Sequence, residues 1–136
     1  MWVSLFFWIA VTLLPPGMAA ERIVAVGDLH GDLDNALQVL RLAEVVDSQG
    51  HWSGGTATLV QTGDVTDRGP DSRELIQLFQ RLEEEAETAG GVVVALNGNH
   101  EIMNLMGELR YVDPGDTAKF GGPAARERAF SPQGEL

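Results

Sequence analysis

The stretch Asn97-Gly98-Asn99-His100-Glu101 decides the fold, because it directly follows the apolar run of residues 92–96. A short apolar run bounded by turn residues is typical of a buried β-strand, so the polar stretch begins where such a strand ends. Asn99 and His100 carry side chains that can bind a metal ion. One strand with this ending is weak evidence, but the chain repeats the arrangement twice upstream.

The two earlier strand endings share this design. Each follows a β-rich run, begins with glycine and continues into metal-capable side chains: Gly27-Asp28-Leu29-His30-Gly31 and Gly63-Asp64-Val65-Thr66-Asp67-Arg68-Gly69. Asp28, Asp64 and Asn99 are separated by 36 and 35 residues, about the length of one βαβ unit. Loops at the carboxyl ends of parallel strands share one edge of an open α/β sheet. The sequence therefore predicts one metal site built from three loops.

The segments between the strands have helical periodicity. Residues 32–46 place apolar side chains on one face, with Asp32 or Asp34 as the N-cap, and a second helix begins near residue 70 and ends near residue 88. The order β-α-β-α-β predicts an α/β fold with parallel strands and right-handed crossovers. The first strand, residues 22–26, is expected in the interior of the sheet.

The remainder of the chain shows no further strand pattern. We predict a short helix over residues 101–109, a turn at Asp113-Pro114-Gly115-Asp116, and a last helix over residues 124–130. A parallel sheet of three strands is small for its class, and its outer strands are edges that need cover.

Composition limits the classes of partner. The net charge of −11 and the lack of a basic stripe argue against nucleic-acid binding. An anionic substrate stays possible, because two divalent cations bring four positive charges to the place where a phosphate binds. The chain has no cysteine, which removes disulfides and thiolate metal ligands.

The N-terminal residues 1–14 carry no charged side chain and resemble the apolar region of an export signal. Pro15-Pro16-Gly17 ends this region, and cleavage after Ala19 or Ala20 predicts an exported, periplasmic or secreted protein with no stable membrane insertion. The alternatives are a membrane anchor formed by residues 1–14, which falls short of the ~20 residues needed to span a bilayer, and a misassigned start codon. The predicted domain is residues 21–136.

The polar loops contain several side chains that suit divalent ions. Asp28 and His30 alternate by two, so an extended backbone points both to one side, and an oxygen with an imidazole nitrogen suits Mn, Fe or Zn. Asp64 can bridge two ions with one carboxylate, and Asn99 adds a neutral oxygen. Two ions about 3.5–4 Å apart can generate a bridging hydroxide and stabilise an in-line displacement at phosphorus.

Three further side chains fit the chemistry of phosphate transfer. Arg68 offers a planar fork that matches two phosphate oxygens. His100 can protonate the leaving group, and Asp67 can hold its imidazole in the productive tautomer.

The three motifs, GDLHG, GDVTDRG and GNHE, together resemble those of the calcineurin-like metallophosphoesterases, in the branch that holds the phosphoprotein phosphatases. Within that branch, Gly98-Asn99-His100-Glu101-Ile102-Met103-Asn104 with Tyr111-Val112 downstream is similar to the Shewanella-like protein phosphatases. The resemblance covers residues 22–112. It implies that the protein hydrolyses phosphate monoesters, with a phosphorylated protein or a small phosphate ester as substrate. A dinucleotide polyphosphate hydrolase uses the same motifs and is the alternative enzyme.

The resemblance also assigns roles. Asp28 and His30 bind the first of two metal ions, Asp64 bridges both, and Asn99 binds the second. The phosphate is bound by Arg68, Asn99 and His100, and Asp67 with His100 forms the acid pair. The catalytic residues are therefore expected to be His100, Asp67 and Arg68.

The family fold is a four-layer αββα sandwich, whose second half supplies two more histidine ligands. The three histidines of this chain are His30, His51 and His100, so no histidine follows residue 100. We therefore expect the chain to form the N-terminal β-α-β-α-β half of the sandwich, incomplete at the C-terminus and inactive by itself. The alternative is a non-catalytic fragment or pseudoenzyme. The oligomeric state is not predicted.

Several other polar residues have two interpretations. His51 and Trp52 are either a substitute ligand and substrate contact or, as we expect, loop packing. Glu83, Glu84, Glu85 and Glu87 either bind cations or, as we expect, form a solvated acidic helix face. Arg110 is an open candidate for a second phosphate contact. Glu101 either reaches the site through water or stabilises the first turn of its helix.

Overall fold

The computed structural model describes residues 22–131 and 134. The predicted export signal lies outside these residues and stays a prediction. Within residues 22–131, no helix is both long enough and apolar enough to cross a membrane.

The predicted β-α-β-α-β order is confirmed and continues into three short helices. The elements are β1 (Ile23–Val26), α1 (Leu33–Leu42), β2 (Thr58–Gln61), α2 (Ser72–Ala89), β3 (Val92–Ala95), α3 (Asn99–Leu105), α4 (Pro114–Lys119) and α5 (Pro123–Ala129). The three strands are parallel in the order β1-β2-β3, with Ile23, Thr58 and Val92 in register.

This strand order puts both crossover helices on one face of the sheet. Right-handed crossovers that always step in one direction leave α1 and α2 on the same side. There they bury the inward side chains of the strands, among them Val26, Leu59 and Val93, against Leu40 and Leu75. The opposite face is apolar and open.

The open face consists of the alternate residues of the strands. Ile23 is 67% exposed, Val92 49% and Val94 38%, while their neighbours in sequence point into the core. A parallel sheet is normally covered on both faces. The described residues therefore form one helical layer and one sheet.

Local sequence explains where the main helices begin and end. Asp32 caps α1 by accepting the Asn35 N–H at 3.0 Å, and Gly90 ends α2 in the left-handed conformation that glycine adopts without steric cost. The predicted extension of α1 to residue 46 is wrong, because Val46 leaves the helix and forms an isolated antiparallel bridge with Trp52.

Two further expectations are corrected. Among the described residues, β1 is an edge of the three-stranded sheet and not its interior. The apolar pattern of residues 22–26 reports burial in the core and not a strand partner on both sides. The predicted turn at residues 113–116 is the start of α4. There the Asp113 carboxylate accepts the Gly115 N–H at 2.6 Å and Pro114 occupies the first turn, a combination that favours helix initiation as much as a turn.

Candidate active site

The three polar loops meet at the carboxyl edge of the sheet, as the sequence predicts. The N–H groups of Leu29 and His30 both donate to the Asp64 carbonyl at 3.0 Å, which joins the first loop to the second. The third loop is joined to the second by the His100 N–H, which donates to Asp64 Oδ1 at 2.9 Å. The carboxylate of Asp64 is thus held between the two other loops.

Close approach of the second and third loops requires glycine at position 98. A Cβ at Gly98 would lie 2.5 Å from the Asp64 backbone nitrogen and equally close to its carboxylate. A side chain there would push Asp64 away, so the glycine of the Asn-Gly-Asn-His stretch is explained by packing and not by a positive φ.

The carboxylate of Glu101 ties both loops together. One oxygen accepts the N–H groups of Asp64 (2.8 Å) and Gly98 (2.7 Å), and the other accepts the N–H and hydroxyl of Thr66, both at 2.9 Å. The first-turn role considered for Glu101 agrees with its contact to the N-cap N–H of Gly98, whereas its contacts to the second loop were not predicted. Its position as third residue of α3 was the signal, because such a glutamate often reaches back to the N-cap N–H.

The backbone of the site is strained. Five non-glycine residues have positive φ angles, and four of them are predicted site residues: His30 (47°), Asp64 (57°), Asp67 (70°) and Arg68 (65°). Non-glycine residues rarely adopt this conformation, and such strain persists where surrounding structure imposes it and clusters at functional sites.

His30 is prepared to bind a cation. Its Nδ1–H donates to the Thr66 carbonyl at 3.1 Å, which leaves the Nε2 lone pair free. Nε2 is buried without a hydrogen-bond partner among the described residues, and it lies 3.5 Å from Asp28 Oδ2. One ligand atom each from His30, Asp64 and His100 lie within 4.8 Å of one another. A buried, unpaired nitrogen beside two carboxylates fits a divalent ion.

The structure brings most of the predicted site residues together. Asp28 Oδ2 lies 3.5 Å from His30 Nε2, and Asp64 offers a ligand atom within 4.8 Å of one on His30. Asn99 is exposed at the start of α3. His100, which we assigned to acid chemistry, also lies within ligand distance of this group.

The His100 ring is held at both nitrogens. Nδ1–H donates to Asp67 Oδ2 at 2.9 Å, with both side chains almost fully buried. Nε2 faces an N–H of Arg68 at 3.3 Å, so in this arrangement it accepts. The ring also lies against the ring of Tyr111, with centroids 5.1 Å apart. The backbone carbonyl of Tyr111 accepts the backbone N–H of Arg68 at 2.8 Å. The sequence motif indicated Tyr111 only as a family marker and did not predict its contact with His100.

Arg110, the open candidate for a phosphate contact, forms an ion pair with Glu108. Its guanidinium donates to Glu108 at 2.6 Å, a hydrogen bond that raises the pKa of Arg110 and lowers the pKa of Glu108. Arg68 is the arginine that faces His100.

A separate apolar cavity of about 330 Å³ lies between α2, β3 and α3, with Phe79, Val93 and Leu105 in its wall. Glu101 and Asn97 line one end of it, whereas His30, Asp64 and His100 do not. The polar chemistry therefore lies outside this cavity, on the other side of Glu101.

Comparison with known proteins agrees with this geometry. A family model for the calcineurin-like phosphoesterases matches residues 21–131. An uncharacterized protein of Schizosaccharomyces pombe, C1840.07c, is 53% identical over 108 residues, which are 78% of this chain and 32% of that protein. Shewanella-like protein phosphatase 2 of Arabidopsis thaliana is 48% identical over 92 residues, 68% of this chain and 24% of the relative.

Among solved structures, the cold-active protein-tyrosine phosphatase of a psychrophilic Shewanella species superposes with a TM-score of 0.71. It is 37% identical, and the match covers 79% of this chain and 34% of that one. The chain thus spans about a third or less of the relatives that it matches. The predicted α/β class and the resemblance to the N-terminal half of a metallophosphoesterase are confirmed. This chain belongs to the calcineurin-like phosphoesterase family.

Proposed function

We propose that the protein is a phosphatase that uses two divalent metal ions to hydrolyse phosphate monoesters, with phosphorylated proteins as substrates. The observation that carries the proposal is the buried, unpaired Nε2 of His30 beside Asp28 and Asp64, with His100 and Arg68 immediately adjacent. Phosphatase relatives support the reaction class. Similarity to a Shewanella-like protein phosphatase and to a protein-tyrosine phosphatase supports the choice of phosphorylated proteins as substrates.

The ligand set suits Mn, Fe or Zn, because it mixes carboxylate oxygens with imidazole nitrogen. Asp28 and His30 would hold one ion, Asn99 the other, and Asp64 both. Bound ions would supply Lewis acidity and positive charge at the phosphoryl group. They would also offset part of the net charge of −11 that the chain carries.

Arg68 and His100 would act on the substrate directly. A phosphate offers the guanidinium two oxygen acceptors in a geometry that a ring nitrogen cannot match, so we expect Arg68 to turn from His100 to the phosphate. Nε2 of His100 is then free to carry a proton and to deliver it to the leaving-group oxygen. Asp67 keeps the ring oriented through Nδ1–H.

The test uses the full-length product of the gene, because we expect residues 1–136 to be inactive by themselves. Asp64→Asn keeps the size of the side chain and removes the negative charge proposed to bridge the two ions. The matched control is the same substitution at Asp34, an exposed residue of α1. Mn affinity is measured by calorimetry, and hydrolysis is measured on p-nitrophenyl phosphate, a phosphotyrosine peptide, a phosphoserine peptide and diadenosine tetraphosphate. We expect Asp64→Asn to lower Mn affinity and turnover by about a hundredfold or more, because losing a metal ligand should cost at least as much as losing a residue that only orients a ligand. We expect Asp34→Asn to change neither quantity.

Wild-type turnover in Asp64→Asn would overturn the assignment of the site. Hydrolysis of diadenosine tetraphosphate without hydrolysis of either peptide would replace the proposal by the dinucleotide polyphosphate hydrolase.

A further inference from the structure

We propose that Arg126, on α5, is a positioning residue for the Asp67–His100 pair. This role rests on the proposed function, since positioning matters only if His100 transfers a proton. The sequence pattern of residues 113–130 indicated only a turn and a helix. The contact of Arg126 with the candidate site is visible only in the structure.

The Asp67 carboxylate is fully buried and uses its two oxygens differently. Oδ2 accepts from His100 at 2.9 Å. Oδ1 accepts the side-chain amide of Asn104 at 3.0 Å and lies 3.5 Å from Nη2 of Arg126. The orientation of the carboxylate, and with it the imidazole, therefore depends on Asn104 and Arg126.

Arg126 also fixes the orientation of Asn104. Its Nη1–H donates to Asn104 Oδ1 at 2.6 Å. Since a guanidinium only donates and a carboxylate only accepts, the amide oxygen must face Arg126 and the amide nitrogen must face Asp67. The same nitrogen donates to the His100 carbonyl at 2.9 Å, which ties it to the backbone of the residue that it helps to orient.

The contacts close into a ring that returns to Asp67. Nε–H of Arg126 donates to Asp116 Oδ2 at 2.7 Å, and Asp116 Oδ1 accepts the Ser72 N–H at 3.1 Å. The Ser72 hydroxyl then accepts the backbone N–H of Asp67 at 3.3 Å. Arg126 thus reaches both the side chain and the backbone of Asp67, the residue with the strained φ of 70°.

Burial makes a general structural role a poor explanation. Arg126 is 2% exposed, and its guanidinium packs against the rings of Phe130 (4.6 Å to the centroid) and Phe120 (5.6 Å). An apolar side chain would stabilise the packing of the helix at least as well, because a buried ion pair seldom stabilises a protein more than a well-packed hydrophobic substitute. Nη2 has no hydrogen-bond partner among the described residues and points toward Asp67. A cation aimed at this carboxylate indicates positioning.

The test compares Arg126→Met and Arg126→Lys with Arg128→Met, an exposed arginine of the same helix, in the full chain. Three quantities are measured: the low-field NMR resonance of the His100 Nδ1–H, kcat and KM on p-nitrophenyl phosphate, and the free energy of unfolding. We expect both Arg126 variants to weaken or shift the resonance and to lower kcat by about 10–100-fold, the usual effect of an outer-shell partner. KM is expected to change little, and Arg128→Met is expected to match wild type.

A double-mutant cycle separates positioning from packing. If Arg126 acts through Asp67, then Asp67→Asn with Arg126→Met loses no more kcat than Asp67→Asn alone. Losses that multiply would overturn the proposal, as would an unchanged His100 resonance and kcat in Arg126→Lys. Arg126→Lys keeps the buried charge while losing the planar fork, so it tests the proposal even if Arg126→Met does not fold. If the full-length wild-type protein shows no phosphatase activity, the proposed function fails, while the resonance still decides whether Arg126 holds the imidazole.

Discussion

Two histidine–carboxylate pairs lie at opposite ends of the sheet, and their hydrogen bonds are almost equal in length. His100 donates to Asp67 at 2.9 Å beyond the carboxyl ends of β2 and β3, and His51 donates to Glu85 at 2.8 Å before the same strands begin. The exposed fractions of the side chains are 3% and 0% in the first pair, and 56% and 28% in the second. Distance alone does not distinguish a fully buried pair from a surface contact.

The surroundings of the two pairs explain the difference. Asp67 is held by Asn104 and Arg126 inside the protein, where each contact is protected from water. Glu85 connects α2 to the loop before β2, accepting the Trp52 N–H at 2.7 Å and an N–H of Arg81 at 3.0 Å. The expectation that His51 and Trp52 serve loop packing agrees with these contacts, whereas the expectation of a solvated acidic face was wrong for Glu85.

The largest expected difference between the two pairs is in catalysis. His100→Asn should lower kcat by about 10²–10⁴-fold, the range for loss of a general acid, while His51→Asn leaves kcat unchanged. Steady-state kinetics on p-nitrophenyl phosphate with added Mn measures both. Similar losses in the two variants would contradict the functional contrast between the ends of the sheet.

A smaller effect is expected when each end loses the carboxylate that connects its loops. Glu101→Gln turns an amide NH₂ toward backbone N–H donors and should lower the free energy of unfolding by about 2–4 kcal/mol. Glu85→Gln should cost about 1 kcal/mol or less, because the pair is partly exposed. Urea denaturation compares both with Glu87→Gln, an exposed control on α2. Equal costs for Glu101→Gln and Glu85→Gln would remove the distinction.

The smallest expected effect depends on pH. Burial raises the pKa of Glu85, but hydrogen bonds from His51, the Trp52 N–H and Arg81 outweigh it and lower the pKa from 4.5 to about 2. A lowered carboxyl pKa stabilises the folded state above pH 4.5, and this stabilisation is lost as pH falls toward 2. The difference in unfolding free energy between wild type and Glu85→Gln should therefore shrink over that interval. A difference that stays constant between about pH 6 and pH 3 would show that Glu85 is not stabilised as a carboxylate.

The sequence was sufficient to predict the features that depend on residues close together in the chain. Each strand ending combines an apolar run, a glycine and its polar side chains within about ten residues, so the parallel order alone brought Asp28, Asp64 and His100 to one edge. Helix bounds followed from caps such as Asp32 and Gly90 for the same reason. These features depend on neighbours in the chain, which periodicity and turn chemistry report.

The missed features depend on residues far apart in the chain. Arg126 and Asp67 are separated by 59 positions, and nothing in either local pattern indicates that a basic residue of α5 is buried against a carboxylate of the second loop. The start of α4 was mistaken for a turn because Asp113 and Pro114 satisfy both structures, and only the burial of Asp116 in the ring decides between them. The edge position of β1 was not predicted, because an apolar pattern indicates burial but does not show whether helices or further strands provide it.

The four positive φ angles of the site have a consequence for protein engineering. Each left-handed, non-glycine residue costs the folded chain on the order of 1–3 kcal/mol, and glycine would relieve that strain at an entropic cost of about 0.5–1 kcal/mol. A design procedure that ranks substitutions by stability alone would therefore favour glycine at His30, Asp64 and Arg68. Variants of this chain stabilised in that way would lose the imidazole, carboxylate and guanidinium groups of these positions first, because stability and the proposed activity compete at the same backbone positions.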